Sequence, residues 1–352
     1  MKIAIVKLSA MGDIIHAMVA LQLIKAQRPD VVIDWVVEQS FAGVLADNPD
    51  INQILTVNLK ALKQNKGQVF AQIRQLRLYA ANHYDYVIDA QGLLKSAVVA
   101  KLLGRHTIGF SKNSIREKFA ANLYSQTVDI NYAQNVIWRN VKVLCEPLGI
   151  HIAKDDLVNK VPFLYYQPLS LEGTPMVHGR KNIVLVLGAS RPNKVYPVER
   201  FVELSTALNR EFGAHCVLIW GNEQELAAAQ YVVQHAPQAT ISPKLSLNDL
   251  KALLAQADLI IGGDTGPTHC AWALNVPSIT IFGNTPEHRN TWVSDINRVI
   301  KSPSKVNPLR LDANDFSIRE IPVQAILDQA KDLLTLKLIN NDLNPTFVSE
   351  CQ

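Results

Sequence analysis

The chain has 352 residues, 48% of them hydrophobic and 19% charged, with a net charge of +4. That is enough apolar material for about two domains with cores of their own, and the charge is too balanced for a protein that coats nucleic acid. The four cysteines, Cys145, Cys216, Cys270 and Cys351, lie far apart and form no CxxC, which predicts reduced thiols in a cytoplasmic protein rather than a disulfide framework or a zinc site.

The opening "MKIAIVKLSAMGD" is too soon interrupted to be a secretory signal and reads as a first strand, "KIAIVKL". No apolar run approaches the roughly 18 residues that span a bilayer, so any membrane contact is expected to be peripheral. A helix from about Asp13 carries Ile15, Val19 and Leu23 at intervals of four and stops before Pro29. Strands follow at 31–37 and 51–57, then a helix from Gln68 to Asn82, the strand 86–90 and a helix through Leu103. This alternation predicts a parallel sheet covered on both faces. Between about Ile152 and Lys181 the pattern fades into a Pro-, Gly- and Ser-containing stretch that reads as a linker. The rhythm restarts with a strand at 182–188, a helix Val198 to Phe212, a strand at 215–221, a helix Glu223 to His235 and strands at 258–263 and 277–283. A last amphipathic helix is predicted for about Ile318 to Leu338, before a polar tail. The implied architecture is α/β, two doubly wound domains facing a cleft. They are placed at 1–165 and 166–325, with 326–352 as a C-terminal helix and tail.

In open α/β sheets ligands bind beyond the C-terminal ends of the strands. Five polar clusters fall there: "SAMGD" after the first strand, "DAQGLLKS" (89–96), "GASRPNK" (188–194), "WGNEQE" (220–225) and "GGDTGPTH" (262–269). In the last, Pro267 suits a first helical turn, and the backbone of Thr265 and Gly266 with the Thr265 hydroxyl would suit an anion there. Asp264 either faces that ligand or only caps the helix. A single "DTG" in an α/β setting does not make the paired aspartates of an aspartic protease. Gly188 would let the backbone approach a ligand, and Ser190 and Lys194 offer a hydroxyl and a cation to phosphate. Glu225 is either a ribose acceptor or an exposed first-turn glutamate. Asp13, directly behind Met11-Gly12, is either a helix start or a general base that accepts the proton of an attacking hydroxyl. His16, one turn on, is a rival base or a packed histidine. The chain has no GxxxxGK[ST], no GxGxxG after a strand, no HExxH and no strand-end DxD. A bound diphosphate would therefore be neutralised by cationic side chains and helix ends.

The stretches "IVKLSAMGDIIHAMVAL", "YDYVIDAQGLLKSA", "SRPNKVYP" and "IGGDTGPTHCAWALNVPSITIFG" together resemble the lipopolysaccharide heptosyltransferases, glycosyltransferase family 9. The resemblance covers most of residues 1 to 300. Its "MGDIIH" and "DAQGLLKSA" pair is closest to the members that add the first heptose, as against the second. It implies a GT-B fold and inverting transfer of L-glycero-D-manno-heptose from ADP-heptose to Kdo2-lipid A, with no metal held by a DxD and no cofactor. It also implies a cytoplasmic location against the inner membrane, no nucleic-acid partner, and a monomer.

By the same resemblance Asp13 is the general base and Lys194 the diphosphate partner. Ser190, Glu225, Asp264, Thr265, Gly266 and His269 are donor contacts. Ala189 and Ser190 stand where the best-known form of the loop has two threonines, which removes one hydroxyl. The acceptor side is implied at Lys7, Ser9, Met11, Gly12, Gln91, Lys60, Lys63, Arg116 and Arg139. Lys60, Lys63 and Lys66 fall in "NLKALKQNKGQ", which has no acidic residue and reads either as a solvated loop or as a basic helical face. The two half-sites would have to close on one another, which implies domain movement. A heptosyltransferase acting later in the core, a nucleotide-sugar 2-epimerase and a non-catalytic ADP-sugar-binding protein are the alternatives.

Overall fold

A computed structural model describes residues 1–61, 67–169 and 174–343. The first sheet holds β1 (Lys2–Val6), β2 (Val32–Glu38), β3 (Gln53–Val57), β4 (Tyr86–Asp89), β5 (Thr107–Phe110) and β6 (Gln126–Val128), in the order β3-β2-β1-β4-β5-β6. It is flanked by α1 (Met11–Gln27), α2 (Ala42–Leu45), α3 (Gln68–Ala80), α4 (Leu94–Leu103) and α5 (Val136–Cys145). After the short α6 (Asp155–Val158) comes a second sheet of β7 (Asn182–Val186), β8 (His215–Ile219), β9 (Thr240–Ile241), β10 (Leu259–Gly263), β11 (Ser278–Phe282) and β12 (Asn297–Lys301), in the order β12-β11-β10-β7-β8-β9. Its helices are α7 (Val198–Phe212), α8 (Glu223–His235), α9 (Leu247–Ala255), α10 (Gly266–Ala273), α11 (Glu287–Asn290) and α12 (Val323–Leu343). All the strand pairs are parallel.

The strands are continuous apolar runs because both faces of each sheet are covered; β7, β8, β10 and β11 are buried at every residue. In each sheet the strand order reverses beside the first strand, at β1/β4 and at β7/β10. These reversals open the crevices where α/β proteins bind ligands, and the polar clusters after β1, β4, β7 and β10 sit there.

Helix α1 departs from the stripe expected of it. Every residue from Ile14 to Leu21 is buried, because the helix packs against its own sheet and α5 and also against α10 of the second domain. One apolar cluster consequently runs through both domains, from Ile3 and Met18 to Leu253 and Trp272.

Strands β5, β6, β9 and β12 and helices α2, α5, α6, α9 and α11 add to the elements read from the sequence. The last helix starts later than expected. Ser317–Glu320 forms a 3-10 turn, and Pro322 separates it from α12, since proline cannot continue a helix from the residues before it. Nor does that helix stand apart as a third unit. Ile326, Leu327, Ala330, Leu333 and Leu334 are buried in the second core.

The linker is docked rather than loose. Phe163 and Leu164 are buried, and the Phe163 N–H donates to the Ala273 carbonyl at 3.1 Å. Lys160, 7% exposed, donates its ammonium to the Trp272 carbonyl and to Asn275 Oδ1. Burial lowers this lysine to about 8, against about 10.4 in an unfolded chain. Between those values the unfolded state binds more protons, so this group makes stability rise with pH. Urea unfolding of the wild type and Lys160→Met at pH 7.5 and pH 10 checks this. The stability difference should move in favour of the wild type at the higher pH, and a pH-independent difference would refute it.

Candidate functional site

A cleft of about 660 Å³ lies between the domains. Its first-domain wall is the β1–α1 turn, Ala10 to Asp13, with His16 and Phe41. Its second-domain wall is Gly188 to Ser190, Lys194, Trp220 to Asn222, Glu225, Asp264 to Pro267, His269, Arg289 and Asn290.

The β1–α1 turn is held from below. Gln91 Oε1 accepts the Leu8 and Ser9 N–H groups at 3.0 and 3.2 Å. Gln91 is itself fixed by Asp89, which accepts its N–H at 2.8 Å, the Tyr124 hydroxyl at 2.7 Å and the Ser96 hydroxyl at 2.8 Å. Burial pushes the Asp89 carboxyl upward against these bonds. Asp13 reaches back to accept the Ala10 N–H at 3.2 Å, closing the start of α1 while its carboxylate lines the cleft.

Behind it lies Lys7, which is not on the acceptor surface expected of it. It is 4% exposed and donates to the Ala90 carbonyl at 2.8 Å and to Asn140 Oδ1 at 3.2 Å. Burial lowers its pKa, and the carboxylates of Asp13 and Asp89 oppose that shift. His16 is 3% exposed, and its ring meets His269 edge-on at 4.3 Å between centroids. Burial and then the His269 charge hold its pKa well below the usual histidine range, which fits the packed reading better than a base.

Across the cleft the centre is Asp264. Its Oδ2 lies 2.8 Å from the Lys194 ammonium and accepts from Thr285 at 3.0 Å and Asn290 at 3.1 Å; its Oδ1 lies 3.0 Å from His269 Nε2. Lys194 also donates to the Asp264 carbonyl at 3.1 Å. Burial raises this carboxyl, but the His269 hydrogen bond and the Lys194 charge outweigh it and hold Asp264 far below the ordinary carboxylate range. It is therefore an anion that fixes Lys194 and His269, and it does not cap the helix. The residue in the N-cap position is Thr265, whose hydroxyl lies 3.3 Å from that of Thr268. Ser190 is exposed on the cleft wall.

The start of α1 touches the start of α10. A Cβ on Gly12 would lie 2.7 Å from His269 Cδ2, and one on Gly266 would lie 2.7 Å from Met11 Sδ. The two half-sites thus touch at their helix starts, and Met11 and Gly12 form part of the join. Glu225 accepts the Gly221 N–H at 2.7 Å and an Asn222 amide hydrogen at 2.8 Å. Gly188 gives room for that carboxylate: a Cβ there would stand 2.1 Å from Glu225 Oε1.

The remaining acceptor-side residues are scattered. Arg139 is 4% exposed, with its guanidinium donating to the carbonyls of Ser114, Ile130 and Asn131, so it supports the domain and presents no charge to a ligand. Arg116 lines a second depression, with Lys118, Tyr132 and Leu309 of the second domain. Lys60 donates to the Ser40 hydroxyl at 3.3 Å and lies over the Phe41 ring at 4.7 Å, at the cleft margin. Ser9 is in the supported turn but does not line the cleft. Lys63 and Lys66 lie outside the described residues.

Sequence reasoning missed Thr285, Arg289 and Asn290. They sit in "GNTPEHRN", a polar loop at the C-terminal end of β11, the position that identified the other clusters. Arg289 Nε donates to the Tyr132 carbonyl at 3.0 Å, and Asn135 donates to the carbonyls of His288 and Thr291, so this loop also ties the domains together.

The Gly188→Ala variant should force Glu225 out of its place, lowering stability by about 1–3 kcal/mol. Thermal unfolding checks this, and an unchanged protein would mean that Glu225 has other room.

Residues 69–310 match the family described as glycosyltransferase family 9 (heptosyltransferase). A lipopolysaccharide heptosyltransferase 1 from Campylobacter coli is 38% identical over 343 residues, covering 95% of this chain and 99% of that protein. The Escherichia coli heptosyltransferase WaaC solved with ADP superposes with a TM-score of 0.78 at 24% identity, over 95% of this chain and 100% of that one. The same enzyme solved with ADP-2-deoxy-2-fluoro heptose gives 0.76 at 24% identity, over 94% and 99%. The fold is therefore GT-B.

Proposed function

We propose a specific reaction for this chain, which belongs to glycosyltransferase family 9, the heptosyltransferases: transfer of L-glycero-D-manno-heptose from ADP-heptose to a Kdo residue of Kdo2-lipid A. The enzyme class follows from the family, and the relatives' names support action on the lipopolysaccharide core. One observation carries the reading of the site. Asp13, at the start of α1, faces the Lys194–Asp264–His269 group at the start of α10 across a single cleft.

An inverting displacement needs a base on one side of the anomeric carbon and a stabilised leaving group on the other. Asp13 takes the proton of the Kdo hydroxyl as that oxygen attacks. The leaving ADP develops charge on its diphosphate. Lys194, oriented by Asp264, and the N-terminal N–H groups of α10 meet that charge. Ser190 and the Thr265 hydroxyl supply hydrogen bonds, and Glu225 accepts from the ribose. The donor thus belongs to the second domain and the acceptor to the first. Lys60 and Arg116, the acceptor-side cations with exposed or margin positions, are the ones available to the anionic acceptor. Contact with the cytoplasmic face of the inner membrane follows from a lipid-borne acceptor. Among the described residues no helix is long and apolar enough to cross a membrane.

Incubation with ADP-heptose and Kdo2-lipid A should add a single heptose by mass spectrometry. Addition only to an acceptor that already bears heptose would assign the chain to a later step, and release of free sugar would point to an epimerase. Asp13→Asn should retain donor binding and lose about 10²- to 10⁴-fold in kcat; near wild-type turnover in that variant would remove Asp13 as the base. Transfer should persist in excess EDTA, with Lys194→Ala weakening ADP binding and slowing turnover. Loss of activity on chelation, restored by Mg²⁺, would assign the leaving-group charge to a metal instead.

A further inference from the structure

Residues 51–84 contain no Asp or Glu, and neither do residues 90–116. Between the two stretches stand only Asp85 and Asp89, and Asp89 is fully buried. These stretches build α3 and α4, which lie side by side over the same face of the first sheet. Each helix turns its apolar inner side to the sheet, through Leu76 on α3 and Val99, Ala100 and Leu103 on α4.

The outer sides are unusual. On α3, Phe70, Arg74, Arg77 and Leu78 are exposed; on α4, Leu94, Lys95, Val98 and Lys101 are exposed. The spacings of three and four put each set along one outward stripe. The 3-10 turn Lys118–Leu123 packs against α4 and adds Phe119. Glu117, just before that turn, accepts the Leu94 N–H at 2.6 Å and fixes the turn beside the start of α4. Phe70 is 81% exposed and Phe119 79%, more than scattered surface apolar residues require.

On the cleft side stands a further cation, Lys60. Lys95 and Lys60 both act electrostatically on Glu38, and Lys60 lies over Phe41, which lines the cleft.

We propose that this face, made by α3, α4 and the Lys118–Leu123 turn, docks on an anionic lipid surface. Phenylalanine and leucine enter the headgroup layer while arginine and lysine meet lipid phosphates. A second copy of the chain is a poor occupant, because a two-fold contact would set two acid-poor basic faces against each other. The inference deepens the reading of the acceptor as lipid-borne, since it leaves the cleft margin at Phe41 facing the plane that carries the acceptor. Docking can be measured with neither donor nor acceptor present.

The full chain is sedimented with phosphatidylcholine vesicles, with and without phosphatidylglycerol. Binding should require phosphatidylglycerol and weaken as salt rises. The triple variant Arg74→Gln/Arg77→Gln/Lys101→Gln should lose vesicle affinity on the order of a hundredfold, about fivefold per basic residue. Phe70→Ser/Phe119→Ser should weaken binding even at high salt. Both variants should keep wild-type transfer to a water-soluble, deacylated acceptor and lose transfer to acceptor held in vesicles. Wild-type protein that ignores anionic vesicles, or a triple variant that binds them unchanged, overturns the proposal. So does a change in oligomeric state caused by these substitutions, which would assign the face to a second copy. If the wild type transfers heptose to neither acceptor, the functional reading fails, while vesicle binding lost in the triple variant still supports the docking face.

Discussion

The structure depends on how closely the first turns of two helices from different domains can approach. Gly12 on α1 leaves room for the His269 ring, and Gly266 on α10 leaves room for Met11. With side chains at either glycine the helix starts would separate, and the charged groups they carry would move apart with them. The same approach explains the composition of α1. A helix covered by its own sheet on one side and by α10 and α5 on others has almost no wet face, so it is apolar nearly all round.

Charge is placed in two buried groups on either side of this join. Lys194 and Asp264 form an ion pair with little exposure, a kind of contact that is stable only when the remaining polar atoms are also bonded. Thr285, Asn290 and His269 complete it. The Lys194 ammonium is thereby held in one orientation on the cleft wall. On the other side, the Lys7 ammonium lies inside the first domain, within the electrostatic reach of Asp13 and Asp89. The Lys7 ammonium is thus an interior group, bonded to the Ala90 carbonyl and to Asn140.

Much of the site was legible from punctuation. Runs such as "NIVLVLG" and "DLIIGG" end in glycine and are followed by polar residues, and a parallel sheet presents such ends at one edge. Asp13, Lys194, Glu225 and the "DTG" turn were found by that rule and do line one cleft. The rule applied equally to the loop after β11, where Arg289 and Asn290 lie. Basic side chains were less readable. Lys7 and Arg139 carry charges that pattern alone assigns to the surface, yet both donate to backbone carbonyls inside the domain. Sequence distance hides those carbonyls, since Ala90 is far from Lys7 in the chain and adjacent in the sheet.

The sequence by itself determined the two parallel sheets, the interruption between them and the strand ends where ligands bind, because hydrophobic period and turn chemistry are local properties. It also contained the acid-free stretches that become the outward stripes of α3 and α4. Only the tertiary structure decided which polar residues at those strand ends meet. Asp264 is a candidate cap or ligand residue in the chain; it becomes the anchor of Lys194 and His269 once the β7, β10 and β11 loops converge at a strand-order reversal. Gly188 likewise changes meaning, from an approach route for a ligand to the space that admits Glu225. These outcomes turn on packing between segments distant in sequence, where distances of a few tenths of an ångström decide which groups touch, and no local pattern encodes them.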